Sequence, residues 1–269
     1  MTSLGVAHLT ALDLAPVTLV REAGRAGFAS VGLRLHPVMP GAVAYPLPPA
    51  SAQLRELLAV MDGEGVGVND IEFVSLTPEV VVAQYEPLLA AGAQLGAVSL
   101  TVSGDDPDCS RLADNFAAMC QLAERYALRV DLEFMRWRPV ANLQQAVAVL
   151  KAAGQGNSGV LVDTLHLFRS GGDATAIAQV EPRYLRAVQL CDAPVQAPPE
   201  ALIVQEAREG RLLPGHGQLA LAQVMAALPA DVLVSVETPS VQLQGTERLS
   251  KAYHFTRSWL ASGNAQTKG

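Results

Sequence analysis

Short runs rich in valine, isoleucine and leucine alternate with stretches of helical period eight times along this 269-residue chain. Such alternation is typical of parallel strands joined by crossover helices, and it confines the chain to the α/β folds. The predicted strands cover residues 5–10, 30–35, 68–74, 97–102, 129–134, 159–163, 185–191 and 232–237. The predicted helices cover residues 16–26, 51–64, 78–93, 109–126, 140–153, 174–180, 219–227 and 246–260.

The segment after the first predicted strand distinguishes the two architectures that eight such units can form. An open, doubly wound sheet that binds a dinucleotide usually has a GxGxxG loop there, but residues 12–17 contain no glycine. Closed barrels reach this length as one domain. We therefore predict a single-domain (β/α)8 TIM barrel over residues 1–262. The polar, glycine-containing tail over residues 263–269 is predicted to be disordered.

Composition narrows the choice of partners. The formal net charge of -7 makes the average surface repel phosphate backbones and anionic lipids, which argues against nucleic acids and membranes. Residues 1–6 lack the features of a secretion signal, and no apolar run approaches the roughly 20 residues that span a bilayer. We expect a cytoplasmic protein with three reduced cysteines and a small-molecule substrate. The apolar character of many predicted helix positions would also suit a homo-oligomer.

Polar residues end four consecutive predicted strands, where the interior of a barrel is otherwise apolar. They are Glu133, Asp163, Gln189 and Glu237. Neighbouring strand ends converge at the mouth of a barrel, so three carboxylates there would repel one another unless a cation lies between them. Carboxylate and amide oxygens suit Mn²⁺, Mg²⁺ or Co²⁺ better than structural zinc. The alternative is that each acid caps a helix or pairs with an arginine.

Five short segments carry a family resemblance that extends over essentially the whole chain. They are Leu132-Glu133-Phe134, Val162-Asp163-Thr164-Leu165-His166, Gln189-Leu190-Cys191-Asp192-Ala193, Pro214-Gly215-His216-Gly217 and Val236-Glu237. In them the chain resembles the xylose isomerase-like sugar phosphate isomerase/epimerase superfamily, the TIM barrels of the AP endonuclease family 2 type. The resemblance implies that Glu133, Asp163, Gln189 and Glu237 hold one divalent metal ion. The family usually has histidine in place of Gln189, so zinc is less favoured here.

The resemblance also assigns roles to residues beside the metal ligands. It implies that His166 contacts the substrate or a bound water near the metal, and that Arg211 is aimed at substrate oxygens, a role that Arg208 could serve instead. Four further residues are predicted to bind substrate from their places at strand ends or in the loops that follow: His8, Glu72, Trp137 and His216. For each of these four, packing or solvation is the alternative that the sequence leaves open.

The predicted metal site favours a sugar or sugar phosphate isomerase or epimerase. Glu133 and Glu237 would stand on opposite faces of a substrate carbon, and one of them would take its proton to give a metal-stabilised enediolate. A dehydratase of the 3-dehydroshikimate dehydratase type is the second hypothesis. With glutamine at position 189, the chain resembles some bacterial enzymes of that kind, although Met135 stands where those enzymes have histidine. A catalytically inactive, sugar-binding barrel is the third hypothesis.

Overall fold

The computed structural model describes residues 3–266 and closes eight parallel strands into a barrel, each strand beside its neighbour in the chain. The strands are β1 (Leu4–Val6), β2 (Ser30–Arg34), β3 (Gly67–Leu76), β4 (Ser99–Gly104), β5 (Arg129–Glu133), β6 (Ser158–Asp163), β7 (Leu185–Leu190) and β8 (Leu233–Val236). Helices cover the outside of the barrel, so most strand residues are buried on both faces. This double burial explains the continuous apolar runs in the sequence.

Ten helices surround the barrel in the described part of the chain, and several begin or end at residues that stabilise helix ends. They are α1 (Pro16–Ala26), α2 (Ala52–Glu64), α3 (Glu86–Gln94), α4 (Cys109–Glu124), α5 (Leu143–Ala153), α6 (Thr164–Arg169), α7 (Ala174–Ala178), α8 (Ile203–Glu209), α9 (Leu221–Ala227) and α10 (Gly245–Gln266). The Ser51 hydroxyl caps α2 by accepting a hydrogen bond from the Leu54 amide at 3.2 Å. Gly27 ends α1 at a left-handed φ of 104°, which glycine adopts without strain.

The register of the strands places the predicted metal ligands at one end of the barrel. Asp163 is aligned with Gln189 on the neighbouring strand, and Gln189 is aligned with Ser235. Glu133 is the last residue of β5, and Glu237 directly follows β8. Parallel strands have their carboxyl ends at the same end of the barrel, so the loops that follow β5 to β8 surround these residues.

The prediction of a single-domain TIM barrel is confirmed, while the bounds of several elements differ. β1 ends at Val6 because residues 8–11 turn into a 3-10 helix, in which the Thr10 hydroxyl donates to the Val236 carbonyl at 3.1 Å. The helix predicted over residues 78–93 begins only at Glu86. The sequence pattern does not predict α6 and α8, which are short helices in the loops after β6 and β7.

The carboxyl-terminal helix extends further than its sequence pattern predicts. α10 reaches Gln266, so helix covers the first four residues of the tail that was predicted to be disordered over residues 263–269. Residues 267–269 of that tail lie outside the described part of the chain. Within residues 3–266, none of the helices combines the length and the apolar character that crossing a lipid bilayer would require.

Candidate active site

A cavity of about 310 Å³ opens at the carboxyl ends of the strands. Its charged lining consists of Arg34, Glu72, Glu133, Arg138, His166, Arg208, Glu209, Arg211 and Glu237, with His166 counted here as an ionisable group. Its apolar lining includes Leu9, Leu12, Val38, Val43, Phe73, Met135 and Trp137. Four arginines and four glutamates therefore face one space. A small, polar molecule that carries charge suits such a lining better than an apolar one.

Three buried side chains at the floor of the cavity could hold a metal ion. Glu133, Asp163 and His166 each offer a ligand atom, and these atoms lie within 4.8 Å of one another. His166 Nε2 lies 3.6 Å from Glu133 Oε1. Asp163 also caps α6, because its Oδ1 accepts a hydrogen bond from the backbone amide of His166 at 2.9 Å. The helix cap and the candidate ligand set therefore use the same carboxylate.

The guanidinium of Arg211 lies between two of the predicted metal ligands. Its Nη1 donates to Asp163 Oδ2, and its Nη2 forms an ion pair with Glu237 Oε2 at 2.9 Å. Its Nε donates to the carbonyl oxygen of Ala207 at 2.7 Å. The structure therefore brings Asp163 and Glu237 together through an arginine. Pairing with an arginine was the alternative to metal binding that the sequence left open.

Gln189 lies below the cavity rather than on its wall. Its side chain lines a small internal void of about 10 Å³, together with Asp131 and Ser235 among others. Its Oε1 atom is buried and accepts no hydrogen bond from the described residues, and His166 Nδ1 also has no partner. Buried polar atoms without partners are costly, and a cation or a proton donor would satisfy them. The donor set of carboxylates, amide and imidazole fits a divalent ion.

Burial raises the pKa values of the acids at the floor of the cavity, and the guanidinium of Arg211 lowers them to different extents. Burial raises the pKa of Glu237 to about 8, although Arg211 acts to lower it. Burial, Glu237 and Asp163 raise the pKa of Glu133 well above its usual range. Burial also acts to raise the pKa of Asp163, but Arg211 and His166 hold that pKa below its usual value. Burial lowers the pKa of His166 to about 4. Without a metal ion, Asp163 is ionised and His166 is neutral at pH 7.

The raised pKa of Glu237 predicts how the stability of the metal-free protein depends on pH. A carboxyl of this kind contributes its stability fully below its ordinary pKa of 4.5 and loses it as the pH rises through about 8. We expect Glu237→Gln to remove part of this fall in the free energy of unfolding. Urea unfolding at pH 5 and pH 9 with a chelator measures it, and the exposed Glu247→Gln is the matched control. Identical pH dependence in wild type and Glu237→Gln would contradict the raised pKa.

Two of the four residues predicted to bind substrate do line the cavity. Glu72 is buried and pairs with Arg34, whose Nε lies 3.0 Å from Glu72 Oε1. Trp137 packs edge-on against His166, with the ring centroids 5.1 Å apart. Both placements are compatible with contact to a ligand, because each side chain borders open space beside the floor residues.

The other two predicted residues, His8 and His216, do not line the cavity. The buried His8 ring accepts a hydrogen bond from the Arg34 amide at Nδ1, at 2.8 Å, and its Nε2 lies 3.0 Å from the Leu14 carbonyl. Both ring nitrogens are therefore used within the fold. His216 packs edge-on against Phe255 of α10, at 4.5 Å between centroids. Both histidines pack at the barrel mouth outside the cavity lining, so their assignment to substrate binding stays a prediction.

Three more arginines line the cavity beside Arg211. Arg34 and Arg138 both lie beside the ring of Phe73, with their guanidinium carbons 6.0 and 5.9 Å from its centroid. Arg138 pairs with Asp105 at 2.6 Å. Arg208 also lines the cavity and forms no ion pair or hydrogen bond with a described residue. Arg34 ends β2, Arg138 lies in the loop after β5, and Arg208 lies on α8 after β7, so nearness to the carboxyl end of a strand is the sequence signal that points to them.

Asp192 organises the loop that contains Arg211. Its Oδ1 accepts hydrogen bonds from the amides of Ala193 at 2.8 Å and Leu219 at 3.0 Å. Its Oδ2 accepts one from the amide of Gly215 at 3.0 Å. A backbone bridge between Asp192 and Leu212 adds two further bonds, both 2.8 Å long. These contacts fix the backbone on either side of the loop and so position Arg211 over the floor of the cavity.

Comparison with known proteins supports the family resemblance. The family model described as "Xylose isomerase-like TIM barrel" matches residues 20–259. A curated 3-dehydroshikimate dehydratase of Pseudomonas aeruginosa is 31% identical over 120 residues, which cover 44% of this chain and 18% of that protein. A second, of Pseudomonas putida, is 27% identical over 149 residues, or 55% of this chain and 23% of that protein. The matched stretches thus span less than a quarter of either relative.

Solved structures share the fold at low sequence identity. The IOLI protein, solved with a zinc atom bound, is 17% identical with a TM-score of 0.79 and covers 97% of this chain and 99% of its own. An L-ribulose 3-epimerase is also 17% identical, with a TM-score of 0.74 and coverage of 100% of this chain and 97% of its own. At this level of identity the likeness establishes the barrel fold, and the chemistry must be argued from the site.

Proposed function

Because the chain belongs to the family of xylose isomerase-like TIM barrels, we propose that it is a metal-dependent lyase of the 3-dehydroshikimate dehydratase type. Its substrate would be a small β-hydroxyketone that carries a carboxylate, and the reaction would remove water from it. The cavity carries the proposal: four arginines surround a floor of acids and one neutral imidazole. The two curated relatives named as 3-dehydroshikimate dehydratases support it.

Oxygen ligands from the strand ends would hold the metal ion. Glu133 and Asp163 offer carboxylate oxygens that lie within 4.8 Å of each other, and Gln189 Oε1 is a buried oxygen that accepts no hydrogen bond from a described residue. With Glu237 they make the oxygen-rich set that suits Mn²⁺, Mg²⁺ or Co²⁺. When bound, a divalent ion would supply Lewis-acid polarisation of a substrate carbonyl, which acidifies the neighbouring C–H.

His166 is the residue that we assign to proton transfer. Burial lowers the pKa of His166 to about 4, so the imidazole is neutral at pH 7 and able to accept a proton. Unlike Asp163 and Gln189, it lines the cavity, and its Nδ1 has no hydrogen-bond partner among the described residues. The imidazole that has taken the C–H proton can return it to the departing hydroxyl. One side chain therefore suffices for the elimination of water.

Arg208 is the arginine that we assign to the carboxylate of the substrate. The other three arginines on the cavity are paired within the protein: Arg34 with Glu72, Arg138 with Asp105, and Arg211 with Asp163 and Glu237. Arg208 is exposed at the rim and has no ionic partner among the described residues. A guanidinium without a partner can bind a carboxylate through two parallel hydrogen bonds.

A sugar isomerase or epimerase is the second candidate, because two glutamates face the cavity. Glu133 and Glu237 both line it, and both have raised pKa values that suit proton exchange with a substrate carbon. The sequence alone favours this function over the dehydratase. We rank it second here because a neutral sugar gives the cavity arginines no anion to bind. A sugar phosphate would supply such an anion, so the assay includes phosphorylated ketoses.

The assay that separates the candidates uses Mn²⁺-loaded protein and two substrates. With 3-dehydroshikimate, nuclear magnetic resonance should detect loss of water, and chelation should abolish it. With ketohexoses and ketopentoses in D₂O, plain or phosphorylated, an isomerase or epimerase would instead introduce deuterium at the reacting carbon. Activity on ketoses alone would overturn the dehydratase. Activity on neither substrate would overturn both specific functions.

We expect Arg208→Met to lower kcat/KM for a carboxylate substrate by about 10- to 100-fold, the value of one charge-assisted contact. The matched control is Arg21→Met on α1, which lies outside the cavity lining. A change confined to KM would indicate that Arg208 stabilises the bound substrate and the transition state equally. Unchanged kcat/KM for Arg208→Met would remove the carboxylate from the proposal.

A further inference from the structure

Arg211 occupies a place that a metal ion would be expected to fill. Its side chain is 2% exposed, and Asp163 and Glu237 are 0% and 5% exposed in their ion pairs with it. Every nitrogen of the guanidinium has a partner, since Nε donates to Ala207 and Nη1 also lies 3.6 Å from Cys191 Sγ. The guanidinium therefore supplies the positive charge that two buried carboxyl groups need.

One donor of the predicted ligand set gains nothing from Arg211. Gln189 Oε1 is buried without a hydrogen-bond donor, although Gln189 is aligned with Asp163 on the neighbouring strand. A guanidinium that satisfied the whole set would leave no buried oxygen without a partner. Arg211 therefore pairs with the two acids but leaves the amide oxygen of Gln189 without a cation or a hydrogen-bond donor among the described residues.

We propose that Arg211 is an internal substitute for the metal ion, which pairs with Asp163 and Glu237 in the metal-free protein and leaves them when a divalent ion binds. The released guanidinium then joins Arg208 at the anionic group of the substrate in the cavity. This inference rests on the metal site of the proposed function. It gives the site an order of assembly, in which the metal binds first and the anionic substrate second.

The fold allows the side chain of Arg211 to move while its backbone stays in place. The backbone bridge between Asp192 and Leu212, and another between Gly210 and Ser240, hold the chain on both sides of Arg211. The side chain already borders the cavity, so rotation about its own bonds would carry the guanidinium towards open space and break its bond to the Ala207 carbonyl.

The test compares Mn²⁺ binding by wild type and Arg211→Met in the whole protein. Methionine keeps the length and apolar stem of the side chain but cannot pair with the two acids. If arginine and metal compete, the Kd for Mn²⁺ should fall by at least about tenfold in Arg211→Met, measured by isothermal titration calorimetry. The gain in Tm on adding Mn²⁺ should also be larger than in wild type, because the metal-free variant lacks its cation.

Arg129→Met is the matched control, since it removes another, partly buried arginine that pairs with a buried acid far from the cavity. Arg129 begins β5 at the opposite end of the barrel and pairs with Asp131 at 2.6 Å. This variant should lose stability while its Kd for Mn²⁺ stays within about twofold of wild type, because ion pairs without shared partners act independently. If Arg211→Met does not fold, Arg211→Lys serves instead. A lysine cannot bridge both acids, so the Kd of Arg211→Lys for Mn²⁺ should lie below that of wild type.

The outcomes separate this inference from the proposed function. Tighter Mn²⁺ binding by the Arg211 variant supports the substitution of arginine by metal. Mn²⁺ binding that is equal or weaker in the variant, with wild type still binding the ion, overturns the substitution and leaves the proposed metal site intact. Absence of Mn²⁺ binding in both proteins overturns the metal site and this inference together.

Discussion

Asp163→Asn should lower turnover by at least about a thousandfold and destabilise the protein by about 3–5 kcal/mol. Asp163 is fully buried and ionised, and its carboxylate pairs with Arg211 while belonging to the candidate metal ligands. Asparagine has the same shape but no charge, so Arg211 would lose its ionised partner. Breaking one side of a buried ion pair is strongly destabilising because the remaining charge stays out of water.

The cap on α6 should survive this substitution, which makes the comparison clean. Asparagine can still accept the hydrogen bond from the His166 amide, because amide and carboxylate oxygens cap helices about equally well. Asp173→Asn at the start of α7 is the matched control, since Asp173 also caps a helix but is exposed. The control should change the free energy of unfolding by less than about 1 kcal/mol. An Asp163→Asn protein with turnover within tenfold of wild type would refute the assigned role of Asp163.

His166→Gln should lower kcat by about 10²- to 10⁴-fold, the usual range for loss of a positioned acid or base. Glutamine can hydrogen-bond in the same place but cannot take up a proton near neutral pH. The Kd for Mn²⁺ should stay within a few-fold of wild type, because we assign His166 to proton transfer. A large loss of Mn²⁺ affinity would instead place His166 among the ligands, with Glu133 and Asp163.

The pH profile of the wild type gives a second measurement of the same role. Because burial lowers the pKa of His166 to about 4, the neutral imidazole persists through weakly acidic solution. The proton-accepting form should therefore not limit kcat between pH 8 and about pH 5. His254→Gln is the matched control, since His254 is exposed on α10. A wild-type kcat that falls through pH 6.5, the ordinary value for histidine, would contradict the lowered pKa.

The sequence alone was enough to predict the barrel and the strand ends that surround its cavity. Eight apolar runs separated by helical stretches predict the closed sheet, and the polar residue at the end of a run gives its place along the barrel axis. Glu133, Asp163, Gln189 and Glu237 could be found in this way because each one is defined by its own strand. The strand pattern does not give the orientation of those side chains or the residues that they contact.

Histidines illustrate what local patterns cannot separate. His8 and His166 both follow a strand by a few residues, yet only His166 lines the cavity. The ring of His8 is held by Arg34, 26 residues away, and by Leu14, six residues away. His216 lies in a turn beside two glycines and packs against Phe255 of the last helix. Which neighbours reach a ring depends on how distant segments fold together.

Sequence by itself determined the order of the strands and the acids that end them, because those properties depend on neighbours along the chain. Tertiary structure alone decided that Arg211 lies between Asp163 and Glu237, since the arginine is 48 residues from Asp163 and reaches it through the loop after β7. A buried carboxylate must find a cation, and several arginines were within reach by sequence. Packing of that loop over the barrel mouth selected which one came close enough to pair.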